Sequence, residues 1–198
     1  MRMLDVPFRK QKLANSCFPA CVKMVLGYYG DDIDEKELYE NSVLPGHPGA
    51  WDVRVSQFLI NKGYKVTSYW NGKQESWWGV KQETANAYRR EMGKALEMGF
   101  IHRQNAGMPL IRKFIDTNIP VLAEVDADVF YGEKLGCTHM VVVVGYDEDN
   151  FYVHDPDKKG GGKTRAVPIR RFRKAWERLS PMAGRSLFVI EPKGHKKA

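Results

Sequence analysis

The sequence predicts an α+β domain in which helices come first and strands follow. Two observations carry that expectation. Segments with apolar residues at helical spacing dominate the first half of the 198-residue chain, and short apolar or alternating runs bounded by turn residues dominate the second. Hydrophobic residues make up 43% of the chain and charged residues 28%, enough apolar surface to cover one substantial core, so residues 1–192 are read as a single domain.

In chain order, Cys17 to Tyr29 carries Ala20, Val22, Met24, Val25, Leu26 and Tyr28, dense enough for a mostly buried helix that Gly30 stops. Asp34 to Asn41 opens on a capping residue and reads as a short helix, and Ala50 to Lys62 places Val53, Val55, Phe58 and Leu59 at helical spacing before Gly63. Tyr64 to Trp70 alternates like a strand. Asn71 to Gly79 reads as an irregular loop, and Trp77 to Met98, rich in Ala, Glu, Lys and Arg, as a helix. A helix is expected over Pro109 to Asp116 and a strand over Val121 to Val125, followed by a longer loop to His139. The strand His139 to Tyr146, a hairpin turn at Asp147-Glu148-Asp149-Asn150 and the strand Phe151 to Asp155 come next. Arg165 to Val167 and Leu187 to Ile190 read as two further strands with a helix, Arg170 to Arg178, between them.

The opening Met1-Arg2-Met3-Leu4-Asp5-Val6-Pro7 lacks the apolar core of a signal peptide, and the run Met140 to Val144 is far too short to span a bilayer, so a soluble cytoplasmic protein with no membrane span is expected. Three cysteines, an odd number in a chain of ordinary size, do not form a disulfide framework. The net charge of +7 is concentrated in Lys158 to Arg178 and in the tail 193–198, which is expected to be disordered. Such a patch attracts acidic peptides, anionic surfaces or nucleic acid; it is read chiefly as a solvated face, with nucleic acid disfavoured as a partner.

Chemistry gathers at Cys17. It follows Asn15-Ser16 and precedes the buried helix, with Pro19 in the first turn, so it sits at a helix N-terminus where the dipole favours a thiolate. Cys21, one turn further in, reads as a buried structural thiol, and Cys137 has no assigned role. His139 opens an apolar strand and is the candidate base. Asp155 ends the next strand, and antiparallel pairing through the hairpin brings it near His139, within a register uncertainty of a couple of residues. His154 is a rival base, but neighbouring strand residues face opposite ways, so His154 and Asp155 do not share one site. Gln11, six positions before Cys17, is the candidate oxyanion donor beside the Cys17 N–H.

Gln11, Ser16-Cys17-Phe18-Pro19-Ala20-Cys21 and Met24-Val25-Leu26-Gly27-Tyr28-Tyr29-Gly30 resemble the opening of the bacteriocin-processing, double-glycine leader peptidases and especially their stand-alone relatives. His139-Met140-Val141-Val142-Val143-Val144-Gly145-Tyr146-Asp147 and Val153-His154-Asp155-Pro156 are similar to that family's His and Asp-Pro segments, and Gly49-Ala50-Trp51 to that family's middle. The resemblance implies a papain-like cysteine peptidase fold, with N-terminal helices packed on an antiparallel β-sheet. It also implies a Cys17, His139, Asp155 triad with Gln11 in the oxyanion hole, a peptide or protein substrate cleaved through a thioester, and no metal or organic cofactor. Phe18 stands where a small Gly commonly follows the nucleophile, and is expected to line or narrow the substrate cleft. A catalytically inactive peptide-binding module on the same fold is the alternative.

Overall fold

The computed structural model describes residues 1–44, 47–71, 81–157, 159–178 and 185–193. The chain opens with β1 (Arg2–Met3) and the helix α1 (Cys17–Tyr28), then α2 (Glu35–Glu40), the short pair β2 (Val43–Leu44) and β3 (His47–Ala50), and α3 (Asp52–Asn61). The strand β4 (Tyr64–Asn71), the helix α4 (Gln82–Glu97), β5 (Ile101–Arg103) and α5 (Met108–Asp116) complete the first half. The second half runs β6 (Val121–Asp126), α6 (Ala127–Tyr131), β7 (Thr138–Tyr146), β8 (Asn150–Asp155), β9 (Gly162–Pro168), α7 (Ile169–Glu177) and β10 (Arg185–Pro192).

Most strands join one eight-stranded sheet of order β5-β4-β10-β6-β7-β8-β9, to which β1 adds beside β7. The expected α+β architecture is therefore present, antiparallel except at one edge, where β4 and β5 run parallel. At its centre Val141, Val142, Val143 and Val144 of β7 all have 0% exposure. A strand covered on both faces needs no polar side, which is why this segment is an unbroken apolar run rather than an alternation. The helix α1 packs against β7, and α7 packs against β6, β8, β9 and β10. The apolar side of α7 is Phe172, Ala175 and Trp176, all buried, with Phe172 against Phe151 at a centroid separation of 5.0 Å. Its remaining side is basic and exposed.

Several elements differ from the sequence expectation. Strands β1, β2, β3 and β5 were not expected; at two to four residues they are too short for periodicity to register, and their partners specify them. The expected long loop before His139 contains the single-turn helix α6. Asp126 caps it by accepting from the Val129 N–H at 2.9 Å, and Gly132 ends it at φ +81°, in the left-handed region that favours glycine. The helix expected from Trp77 begins, as far as it is described, at Gln82; Trp77, Trp78 and the loop 72–79 lie outside the described residues, as does the tail 194–198.

Trp176 is 1% exposed and donates its indole N–H to the Ser186 carbonyl at 3.0 Å, tying α7 to β10. Trp176→Ala should destabilise the protein by about 3–5 kcal/mol, read as a lowered urea midpoint with an unchanged slope.

Candidate active site

The loop that delivers Cys17 is held from two directions. Glu35, the first residue of α2, is only 2% exposed, and its Oε1 accepts from the Lys12 N–H at 2.7 Å, the Leu13 N–H at 3.2 Å and the Ser16 hydroxyl at 2.6 Å. A buried carboxylate requires such donors, and here all of them come from the segment immediately before Cys17. At the other end of the loop the Gln11 N–H donates to the Pro156 carbonyl at 2.9 Å, one residue past Asp155. Asn15 takes φ +56°, a conformation Asn tolerates, and the chain turns into α1. Cys17 is a free, half-buried thiol at the first position of that helix, with Pro19 in the first turn.

His139 and Asp155 meet across β7 and β8. Val143 pairs with Val153, which puts Asp155 on the same face as His139 and diagonal to it. The His139 Nε2–H donates to Asp155 Oδ1 at 2.8 Å, and the ring's other nitrogen is left for a hydrogen bond with Cys17. Burial pulls the imidazole pKa down, but the hydrogen bonds to Asp155 and Cys17, with their negative charge, push it up to about 9. Asp155 has no exposure. It also accepts from the Tyr131 hydroxyl, 3.0 Å from each carboxylate oxygen, from the Asp157 N–H at 3.1 Å and from the Arg165 guanidinium. Burial would raise this carboxyl; the bonds to His139, Asp157 and Tyr131 hold it below the usual range. A Cβ on Gly161 would strike the carbonyls of Asp155 and Asp157, so the turn beneath the carboxylate accepts only glycine.

Residues 3–183 match the model of the Peptidase_C39 like family. The chain belongs to that family. The fold is similar to the peptidase domain of Streptococcus ComA, a bifunctional transporter of a quorum-sensing pathway, with TM-score 0.60 at 17% identity over 95% of this chain and 99% of that one. It is also similar to a C39-like peptidase from Bacillus anthracis, with TM-score 0.59 at 16% identity over 96% of this chain and 98% of that one. A third similar structure is a double-glycine motif protease from an AMS/PCAT transporter, solved with its leader peptide, with TM-score 0.56 at 15% identity over 96% of this chain and 94% of that one. No curated protein matches at the sequence level. At these identities the structural likeness speaks for the fold alone.

Within this C39-like chain the predicted residues fall into three groups. Cys17, His139 and Asp155 are brought together. Gln11 stands beside them on the loop bonded to Pro156; its Nε2 makes only a 3.5 Å contact to the Leu13 carbonyl, and its buried Oε1 has no partner among the described residues. Phe18 does not line the cleft as expected: it is 5% exposed and packs edge-to-face on Phe188 at 5.2 Å, because the residue after Cys17 in this helix turns into the core. His154 is spent elsewhere. Its Nε2–H donates to the Val6 carbonyl at 2.8 Å and its Nδ1 accepts from the Thr164 N–H at 3.1 Å, and burial lowers its pKa, so it is a neutral strut. Cys21 is buried with its Sγ 3.3 Å from the Met140 carbonyl, and burial pushes its thiol up. Among the described residues no group of three or more His, Cys, Asp and Glu side chains could hold a metal ion.

Sequence reasoning missed Glu35, Tyr131 and Arg165. Arg165 was findable: counting the β8 to β9 hairpin back from its Gly160-Gly161-Gly162 turn places it opposite Val153, two residues from Asp155. Tyr131 lay in an expected loop, and Glu35 in a helix whose packing gave no signal.

His139 also couples stability to pH. Its folded pKa of about 9 lies above its ordinary 6.5, so its contribution is fully present below about 6.5 and is lost as pH rises through about 9. Urea midpoints of the wild type and His139→Gln should therefore converge between pH 6.5 and pH 9.5, the wild type losing its advantage on the alkaline side.

Proposed function

We propose that the protein is a thiol hydrolase that cleaves peptide or other amide bonds through Cys17, His139 and Asp155. The observation that supports it best is the buried His139, bonded through Nε2 to Asp155 and near enough to Cys17, a half-buried thiol at a helix N-terminus, for that thiol to help raise its pKa. Family membership supports the same class of chemistry.

On this reading His139 holds the proton taken from Cys17, and the thiolate attacks the carbonyl carbon of the scissile bond. The Gln11 amide and the Cys17 N–H donate to the oxyanion as it forms. His139 then gives its proton to the leaving amine, and a thioester remains on Cys17. Water enters, loses a proton to the now neutral imidazole and attacks the thioester, regenerating the thiol and releasing a carboxylic acid. Asp155 keeps the ring turned so that Nε2–H is always the donor to the carboxylate and the other nitrogen always faces the sulfur. Tyr131 and Arg165 are positioning residues that hold Asp155 itself. For the alternative, a peptide-binding module without chemistry, Phe18 offers no support, since its ring is in the core.

A peptide-library digest read by mass spectrometry tests the proposal. Turnover should fall by on the order of 10⁴-fold in Cys17→Ala and about 10²- to 10³-fold in kcat for Gln11→Ala. Turnover that survives Cys17→Ala would sink it. The rate should also decline on the alkaline side with an apparent pKa near 9 as His139 loses its proton; a plateau through pH 10 would remove His139 from the acid role.

A further inference from the structure

A groove of about 1120 Å³ lies between α6 with the loop that follows it and the outer face of α7. Five basic residues line it, Lys134, Arg170, Arg171, Lys174 and Arg178, against two acidic ones, Asp128 and Glu133. One of the acids is already committed: Asp128 Oδ1 accepts the Leu135 and Gly136 N–H groups, each at 2.7 Å, and so shapes the loop. Arg178 pairs with Asp126 at 3.3 Å, and Arg171 donates its Nε–H to the Val129 carbonyl. Lys134, Arg170 and Lys174 are exposed and have no ion-pair partner among the described residues.

The groove is joined to the site at both ends of its loop. Gly132 directly follows Tyr131, which bonds Asp155, and Gly136 is three residues before His139. Three residues of chain span at most about 10 Å, so Gly136 lies within about 10 Å of His139 and an extended substrate lying at the site comes within reach of the groove. The spacing of the cations suits an extended ligand. Arg170 and Lys174 on α7 and Arg178 at its C-cap repeat every four residues, about 6 Å apart along the helix axis, and alternate side chains of an extended peptide are about 6.6 Å apart. Leu135, 48% exposed at the rim, adds an apolar contact. Among the described residues the lining contains no aromatic side chain, whereas grooves for single-stranded nucleic acid rely on stacking platforms.

We propose that this groove binds an acidic, extended segment of the peptide substrate, held mainly by Lys134, Arg170, Arg171 and Lys174. The proposal rests on the hydrolase reading for the identity of the ligand as a substrate, and on the groove alone for its chemistry.

Binding is measured on the full chain carrying Cys17→Ala, with a fluorescent peptide of about ten residues with Glu at alternate positions, its Gln twin and a single-stranded oligonucleotide of similar charge. The acidic peptide should bind at least about tenfold more tightly than its twin, and the preference should shrink from about 50 to about 300 mM salt. It should fall toward one in Arg170→Gln/Lys174→Gln, whose exposed side chains leave folding intact. Equal binding of the twins, or tighter binding of the oligonucleotide, would overturn the proposal. In parallel, peptides cleaved by the wild type should be enriched in Asp and Glu about three to six residues from the cut. Selective binding without any cleavage would sink the hydrolase and leave the groove; cleavage without acidic enrichment, together with equal binding, would sink the groove and leave the hydrolase.

Discussion

Asp155 has no contact with solvent, and an ionised carboxylate so placed must draw its donors from the chain itself. It draws them from four directions: His139 on β7, Tyr131 at the end of α6, Arg165 on β9 and the backbone of Asp157 just beyond β8. Much of the second half of the fold can be understood as the scaffold that satisfies this one group. The βhairpins bring β7, β8 and β9 into register, the glycine turn at Gly161 lets the chain fold back beneath the carboxylate, and α6 supplies a hydroxyl where a plain loop would supply water. Arg165 further lies over the rings of Phe130 and Tyr131, at 5.3 and 5.6 Å, so the charge that balances Asp155 is itself clamped. The consequence for His139 is a fixed ring orientation and a raised pKa.

The first half of the fold solves a matching problem for the thiol. Cys17 must stand at a helix N-terminus while α1 is buried against β7, and the loop before it has no regular structure to hold it. Glu35 provides the hold, gathering two backbone N–H groups and the Ser16 hydroxyl, and the Gln11 to Pro156 bond ties the same loop to the strand that carries Asp155. The loop of Cys17 and the segment that carries Asp155 are thus connected through backbone, so their separation depends little on mobile side chains.

What was legible in the sequence follows the same division. Long elements could be read because burial imposes a pattern on consecutive residues: helical spacing in α1, alternation in β4 and an unbroken apolar run in β7. The pairing of His139 with Asp155 could be read because a four-residue turn fixes a hairpin to within a residue or two. Tyr131, Glu35 and Phe18 could not, since each depends on which way a side chain turns relative to a distant element. Phe18 illustrates the limit: its place next to Cys17 suggested a cleft wall, but one residue along an α-helix is about 100° of rotation, and that rotation carries it into Phe188. The strand β5, which forms the parallel edge with β4, and the single-turn α6 escaped for the simpler reason that they are too short to carry a period.

The proposed chemistry requires Cys17 and His139 to act as one unit. Its most direct test is the rate of iodoacetamide alkylation of each cysteine at neutral pH, resolved by peptide mapping, in the wild type and in His139→Ala. The coupled pair predicts that Cys17 reacts fastest in the wild type and slows by on the order of tenfold or more without the imidazole, while exposed Cys137 keeps its rate. A Cys17 rate that is indifferent to His139, or no faster than that of Cys137, would contradict it.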